Sequence, residues 1–135
     1  MSKLYTTQLL ALSAELASYP FHDRFDRIAE ARSAVCGSTI TLGLDMGKDG
    51  GVTGLGMQVS ACAIGQSSAA VLAGHIKGAT ADDIRATRDA ITGWLAGEGT
   101  MPQWPRFEAL APALEHKGRH GALLLAWDGA VKALG

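Results

Sequence analysis

An α+β fold, a small antiparallel sheet with helices packed on it, is predicted by three features of the sequence. Ile40, Leu42, Leu44 and Met46 alternate with Thr39, Thr41, Gly43 and Asp45, the pattern of a half-buried strand. Leu55, Met57 and Val59 repeat the alternation after a Gly47-Lys48-Asp49-Gly50-Gly51 turn, so 39–46 and 52–60 form a hairpin. Every later segment has helical periodicity, with no strand–helix–strand alternation that would make a parallel sheet.

The elements follow in order. Leu4, Leu9, Leu12 and Leu16 lie at near-helical spacing, so an amphipathic helix is expected from Ser2 to about Ser18, stopped by Pro20. From Phe21 to Val35 the pattern is mixed and polar, and a short helix and an ordered loop both fit. In the hairpin, Asp49-Gly50 reads as a two-residue type I′ turn. That turn sets Ile40 opposite Val59, Leu42 opposite Met57 and Leu44 opposite Leu55, with Thr39 facing Ser60 and Thr41 facing Gln58. A slip of one residue would scramble both faces. A helix then runs from Ala63 to about Lys77, with Gly78 as its stop. Thr80 caps the next, whose first turn holds Asp82 and Asp83, and Ile84, Ile91, Trp94 and Leu95 carry it to Gly97. A short helix from Trp104 to about Leu114 is interrupted near Pro112. The last helix, His120 to Leu134, sets Leu124, Trp127, Val131 and Leu134 on one face.

At 135 residues the chain has the length of a single domain, 1–135, with room for a core. Hydrophobic residues make up 47% but aromatic ones only 6%, and there are 17 glycines. Small side chains and close backbone approach must therefore shape that core. The formal net charge of −1 lacks the basic surplus that nucleic-acid binding needs. No apolar run reaches membrane-spanning length and the start shows no secretory pattern, so a cytoplasmic protein with reduced thiols is expected.

The chemistry centres on the only two cysteines. Cys36 precedes the first hairpin strand and Cys62 follows the second, so the register makes them diagonal neighbours at the hairpin's open end. Such diagonals are about 7 Å or less apart at Cβ, close enough to share a metal. Cys62 also stands where strand passes into helix, where unpaired amides favour a negatively charged sulfur. Gly37 and Gly65 are expected to leave space beside the thiols. Free cysteines are also commonly buried and inert, and the residues alone leave both readings open. Among the four histidines, His22, His75 and His116 read as ordinary surface or helix residues. His120 opens the final helix and can point back toward a neighbouring loop.

Cys36-Gly37-Ser38 before an alternating strand, and Ser60-Ala61-Cys62-Ala63-Ile64-Gly65-Gln66-Ser67-Ser68-Ala69 entering a helix, resemble the iron–sulfur cluster assembly scaffolds of the SufU, IscU and NifU N-terminal group. The closing Arg119-His120-Gly121-Ala122-Leu123-Leu124-Leu125-Ala126-Trp127 resembles the SufU-type ending, where a third cysteine precedes Leu-Ala-Trp, and the extra helix before it fits SufU better than IscU. The resemblance implies a scaffold or carrier, not an enzyme. A cysteine desulfurase would deliver sulfur to a thiol, and iron, zinc or a nascent iron–sulfur cluster would pass to acceptor proteins. Cys36 and Cys62 match the motif directly and are the expected cluster-binding and metal residues. Two positions depart from it: Ser38 stands where the family has aspartate, and Ala122 where it has the third cysteine. His120 is added as a metal ligand by proximity to Ala122, not by a motif match. Two other readings follow from those departures: a metal-free interaction or regulatory module, and a metal-free thiol sulfur relay.

Overall fold

The computed structural model describes residues 6–34 and 37–135. Helix α1 (Thr7–Ala14) opens where the Thr6 hydroxyl accepts the Leu9 amide at 3.0 Å, and it tightens into a 3-10 turn over Glu15–Ser18. Leu9 and Leu12 are buried on one face, as their spacing requires. Leu4, assigned to the same helix from its spacing, lies outside the described residues. Beyond the turn, the Tyr19 carbonyl accepts the Met57 amide at 2.9 Å, which brings the chain alongside the sheet before it turns back.

The sheet has three antiparallel strands in the order β1-β2-β3: β1 (Arg27–Arg32), β2 (Thr39–Met46) and β3 (Val52–Ser60). The hairpin has the expected bounds and register, with Ile40 against Val59, Leu42 against Met57 and Leu44 against Leu55. Its tip differs from the two-residue turn. Gly47 and Gly51 close on each other, so Lys48, Asp49 and Gly50 form a three-residue loop with Gly50 at φ 85°. An irregularity between Asp45 and Met46 absorbs the extra residue and restores the register below it.

Strand β1 replaces the helix or loop expected within 21–35. Only Ala29 is buried in it, with Ala31 half-buried, and the other four residues are exposed. Two alanines carry too little hydrophobic contrast to announce a period of two. What fixes the strand is tertiary: it pairs along its length with β2, and the Lys132 ammonium donates to the Glu30 carbonyl at 2.9 Å. At its entrance, the Asp26 amide donates to Asp45 and the Met46 amide to Asp26, both at 3.0 Å.

One face of the sheet buries Ile40, Leu42 and Leu44 toward the helices. On the other, Gly43 pairs with Gly56, and the Phe25 ring lies in the slot their missing side chains leave. A methyl group on Gly56 would overlap the Pro20 carbonyl oxygen as well as that ring. Gly56→Ala is therefore expected to destabilise the protein by about 1–3 kcal/mol, read as a lower urea midpoint.

Helix α2 (Ala63–Gly74) is the central element, buried from Ile64 to Ala73 apart from Gln66. Its small residues let α1 and α4 approach. Its two fully buried serines are satisfied: Ser67 donates to the Leu9 carbonyl and Ser68 to that of Leu123, each at 2.6 Å. The helix stops at Gly74, a turn before the expected end near Lys77. Gly78, at φ 89°, instead turns the chain so that its amide reaches the Val52 carbonyl at 2.8 Å.

Helix α3 (Ala81–Leu95) has the expected Thr80 cap, reinforced by the Asp83 carboxylate, which accepts the Thr80 amide. The segment expected as a short helix is 3-10 over Phe107–Glu115, with Pro112 inside it. Trp104, Trp127, Phe107 and Trp94 form a chain of edge-on rings beneath it. Helix α4 (His120–Leu134) has the expected bounds and a wider buried face than the expected one. Ala122, Ala126, Gly129, Ala130 and Ala133 join Leu123, Leu125, Trp127 and Leu134 in the interior, whereas Leu124 and Val131 are only half-buried. Helix α4 packs on α2, α3, β1 and β2 together, and its small residues make that close approach feasible.

Candidate functional site

The end of the sheet opposite the hairpin loop gathers three chain segments. Strand β3 ends at Ser60, which pairs with Thr39, and two residues later Cys62 is the N-cap of α2. Its backbone is extended (φ −67°, ψ 172°), its side chain makes no capping hydrogen bond, and it is a free, half-buried thiol. Local bonds fix the entry to the helix: the Gln66 amide donates to the Cys62 carbonyl at 3.0 Å, and the Gln66 side chain to the Ala61 carbonyl at 2.8 Å.

The second segment is the connection from β1 to β2. The Ser33 amide donates to the Ser38 carbonyl at 2.8 Å and the Gly37 amide to the Ser33 carbonyl at 3.0 Å. Gly37 takes φ 70° with open space on its side-chain side. Cys36 lies in this connection and outside the described residues.

The third segment is the start of α4. Gly121 abuts the Ser33 hydroxyl, and Ala122 lies against Gly65 of α2, its carbonyl oxygen 3.3 Å from where a Gly65 Cβ would stand. These two contacts join the start of α4 to the β1–β2 connection on one side and to the first turn of α2 on the other. Gly65 is not the open space expected beside the thiol, because a Cβ there would come within 2.7 Å of Ala61 Cβ. The missing side chain makes room first for Ala61 and then for Ala122 of α4.

The donor set is partial for a metal or cluster. Cys62 offers a sulfur. Ala122 has no donor atom and is fully buried, and Ser38 is buried as well. His120 sits at the start of α4 with Nε2 turned away onto the carbonyls of Leu114 (3.0 Å) and Ala113 (3.2 Å), which leaves Nδ1 as its remaining nitrogen. Among the described residues, no three His, Cys, Asp or Glu side chains are grouped to hold a metal ion. Ser33 and Gln66 were not identified from sequence. The signal for each is local: a hydroxyl just before the loop, and an amide one helical turn after the N-cap.

A three-stranded sheet backed by helices, with a free thiol at a strand-to-helix junction, defines a thiol-bearing two-layer domain. No family profile matches the chain, and no curated protein does. Solved structures match over nearly its whole length. A nitrogen-fixing NifU-like protein (N-terminal) from Brucella abortus is 35% identical, with a TM-score of 0.87 over 97% of this chain and 92% of that one. The chain belongs to the NifU-like family of iron–sulfur cluster assembly scaffolds. The same fold occurs in an iron–sulfur cluster assembly scaffold protein for the SUF system from Fervidobacterium islandicum, at 17% identity, TM-score 0.87, covering 98% and 97% of the two chains. Among the described residues, no helix is long and apolar enough to cross a membrane.

Proposed function

We propose that the chain is a cytoplasmic carrier in iron–sulfur cluster assembly, with Cys62 and Cys36 as the thiols that receive its cargo. The observation that carries the reading is the near-complete match to a NifU-like domain, together with Cys62 at the uncapped start of α2. A cysteine desulfurase supplies sulfur as a persulfide. The Cys62 sulfur attacks the outer sulfur, a new S–S bond forms on Cys62, and the desulfurase cysteine leaves as thiolate. Cys62 is assigned as the acceptor because it is the N-cap of α2, where the first-turn amides of a helix favour negative charge. Iron, or zinc in a resting form, is held as cargo by the two sulfurs, with His120 Nδ1 as an additional donor, and passes to acceptor proteins.

Anaerobic incubation with ferrous iron and sulfide, followed by metal analysis and absorbance, tests the reading. The wild-type chain is expected to retain iron and sulfide through gel filtration, and a Cys62→Ala variant retaining as much would contradict the assignment. The buried Ala122 and Ser38 favour one other reading, a sulfur relay that uses the thiols without a metal. That protein would take up persulfide sulfur and no iron.

A further inference from the structure

Strand β1 ends the sheet on one side, and among the described residues no strand pairs with its outer edge. The Ser33 amide donates to the Ser38 carbonyl, in register with the strands, so Arg27, Ala29 and Ala31 are the residues of β1 that bond inward to β2. The backbone groups of Ile28, Glu30 and Arg32 therefore point outward. The Lys132 ammonium, which reaches the Glu30 carbonyl at 2.9 Å, agrees with that direction. It occupies one of that carbonyl's two lone pairs and claims no amide along the edge. An open edge of this kind is a template for another strand.

The side chains along the edge select a partner strand. Glu30 and Arg32 are exposed on the sheet face opposite the helices, and neither makes a side-chain ion pair among the described residues. Outward residues pair only with outward residues, so a two-fold axis between two copies of β1 can pass through Ala29, Glu30 or Ala31. At Glu30 the axis sets two carboxylates together, and at Ala29 it sets Ile28 against a carboxylate. At Ala31 it sets Glu30 against Arg32 of the second copy, twice, as opposite charges directly across the strands. The helix layer repeats this complementarity at the same level. Gly129 of α4 lies beneath Ala31, whose Cβ is 3.8 Å from where a Gly129 Cβ would stand. Asp128 and Lys132, one turn apart beside Gly129, are both exposed, and the Lys132 bond to Glu30 places that side of α4 toward the edge. Asp128 meets Arg88 through one oxygen, at 3.3 Å, and keeps the other.

We propose that β1 pairs with β1 of a second copy of this chain about a two-fold axis at Ala31, joining the two three-stranded sheets edge to edge. Glu30 and Arg32 then exchange backbone hydrogen bonds as well as charge across the axis. Beneath them the two α4 helices run antiparallel side by side, and each Asp128 comes toward the other's Lys132. The contact is isologous, so it closes on itself as a dimer and leaves no strand edge at the seam.

Sedimentation velocity of the full-length chain over a range of concentrations tests it, with reductant and chelator present to remove disulfide-linked and metal-bridged dimers. A reversible monomer–dimer equilibrium is expected. Glu30→Arg and Arg32→Glu each set like charges together twice, and each should raise the dissociation constant at least about tenfold. Both positions are exposed, so neither change disturbs the core. The double variant carrying both changes restores opposite charges across the axis and should return the constant to within about threefold of wild type. A chain that stays monomeric up to about 1 mM would overturn the proposal. So would a dimer that neither single variant weakens, or a loss that the double variant does not recover, since either places the contact on another surface. The carrier reading stands or falls separately, on metal and sulfur uptake.

Discussion

Trp127→Ala is expected to destabilise the protein by about 3–5 kcal/mol, the range for deleting a buried large aromatic. Trp127 is fully buried, with its ring edge-on to Trp104 at 5.0 Å and to Phe107 at 6.3 Å. Its indole N–H donates to Ser68 Oγ at 3.0 Å, and that hydroxyl donates in turn to the Leu123 carbonyl. Truncation thus opens a cavity between α2 and α4 and strips Ser68 of a partner. Chains of this size are stable by about 5–15 kcal/mol, so the loss is a large share of the total. Trp127→Phe separates the two contributions. It keeps most of the ring and loses the bond, and should cost about 1–3 kcal/mol, the penalty of an unsatisfied buried polar group. Urea unfolding monitored by far-ultraviolet circular dichroism reads both variants. Equal costs for the two would assign the whole effect to the hydrogen bond.

The second large effect is chemical. Cys62→Ala should leave the fold intact, since the thiol is half-buried and caps nothing, yet lower metal affinity by at least about a hundredfold. That bound follows because even residues that merely orient a metal ligand are worth about 10–100-fold in affinity, and here a ligand itself is removed. The same variant should accept no persulfide sulfur beyond what Cys36 takes. Mass spectrometry after incubation with a desulfurase and cysteine locates the added sulfur. A variant that binds zinc as tightly as wild type, with an unchanged unfolding midpoint, would move the site elsewhere.

The hairpin was legible because Ile40, Leu42 and Leu44 contrast with glycine and hydroxyl residues between them, so each face declares itself. Strand β1 was not, because Ala29 and Ala31 differ little from their surroundings and the strand is held by pairing with β2. The buried face of α4 was obscured for a related reason. Trp127 and Leu134 are buried as expected and Leu124 and Val131 pack at the edge of the core, but much of the remaining contact is made by alanine and glycine, which carry little hydrophobic contrast. The turn at Lys48–Gly50 kept the expected register only because a bulge near Met46 compensates for the extra loop residue, which no local motif announces. At the site, Cys62 was legible as a strand-to-helix junction. The meeting of Gly65 with Ala122 and of Gly121 with Ser33 was not, since it depends on how α4 is laid against two distant segments. The motif departures at Ser38 and Ala122 were visible in the sequence. That both positions are buried was not.

The most direct measurement is the iron and zinc content of the full-length chain purified anaerobically, without chelators and with thiol present, beside the Cys62→Ala variant. The carrier reading predicts a substantial fraction of one metal equivalent in the wild-type chain and its loss in the variant. Wild-type protein holding less than about a tenth of an equivalent, or a variant holding as much metal as wild type, would contradict it.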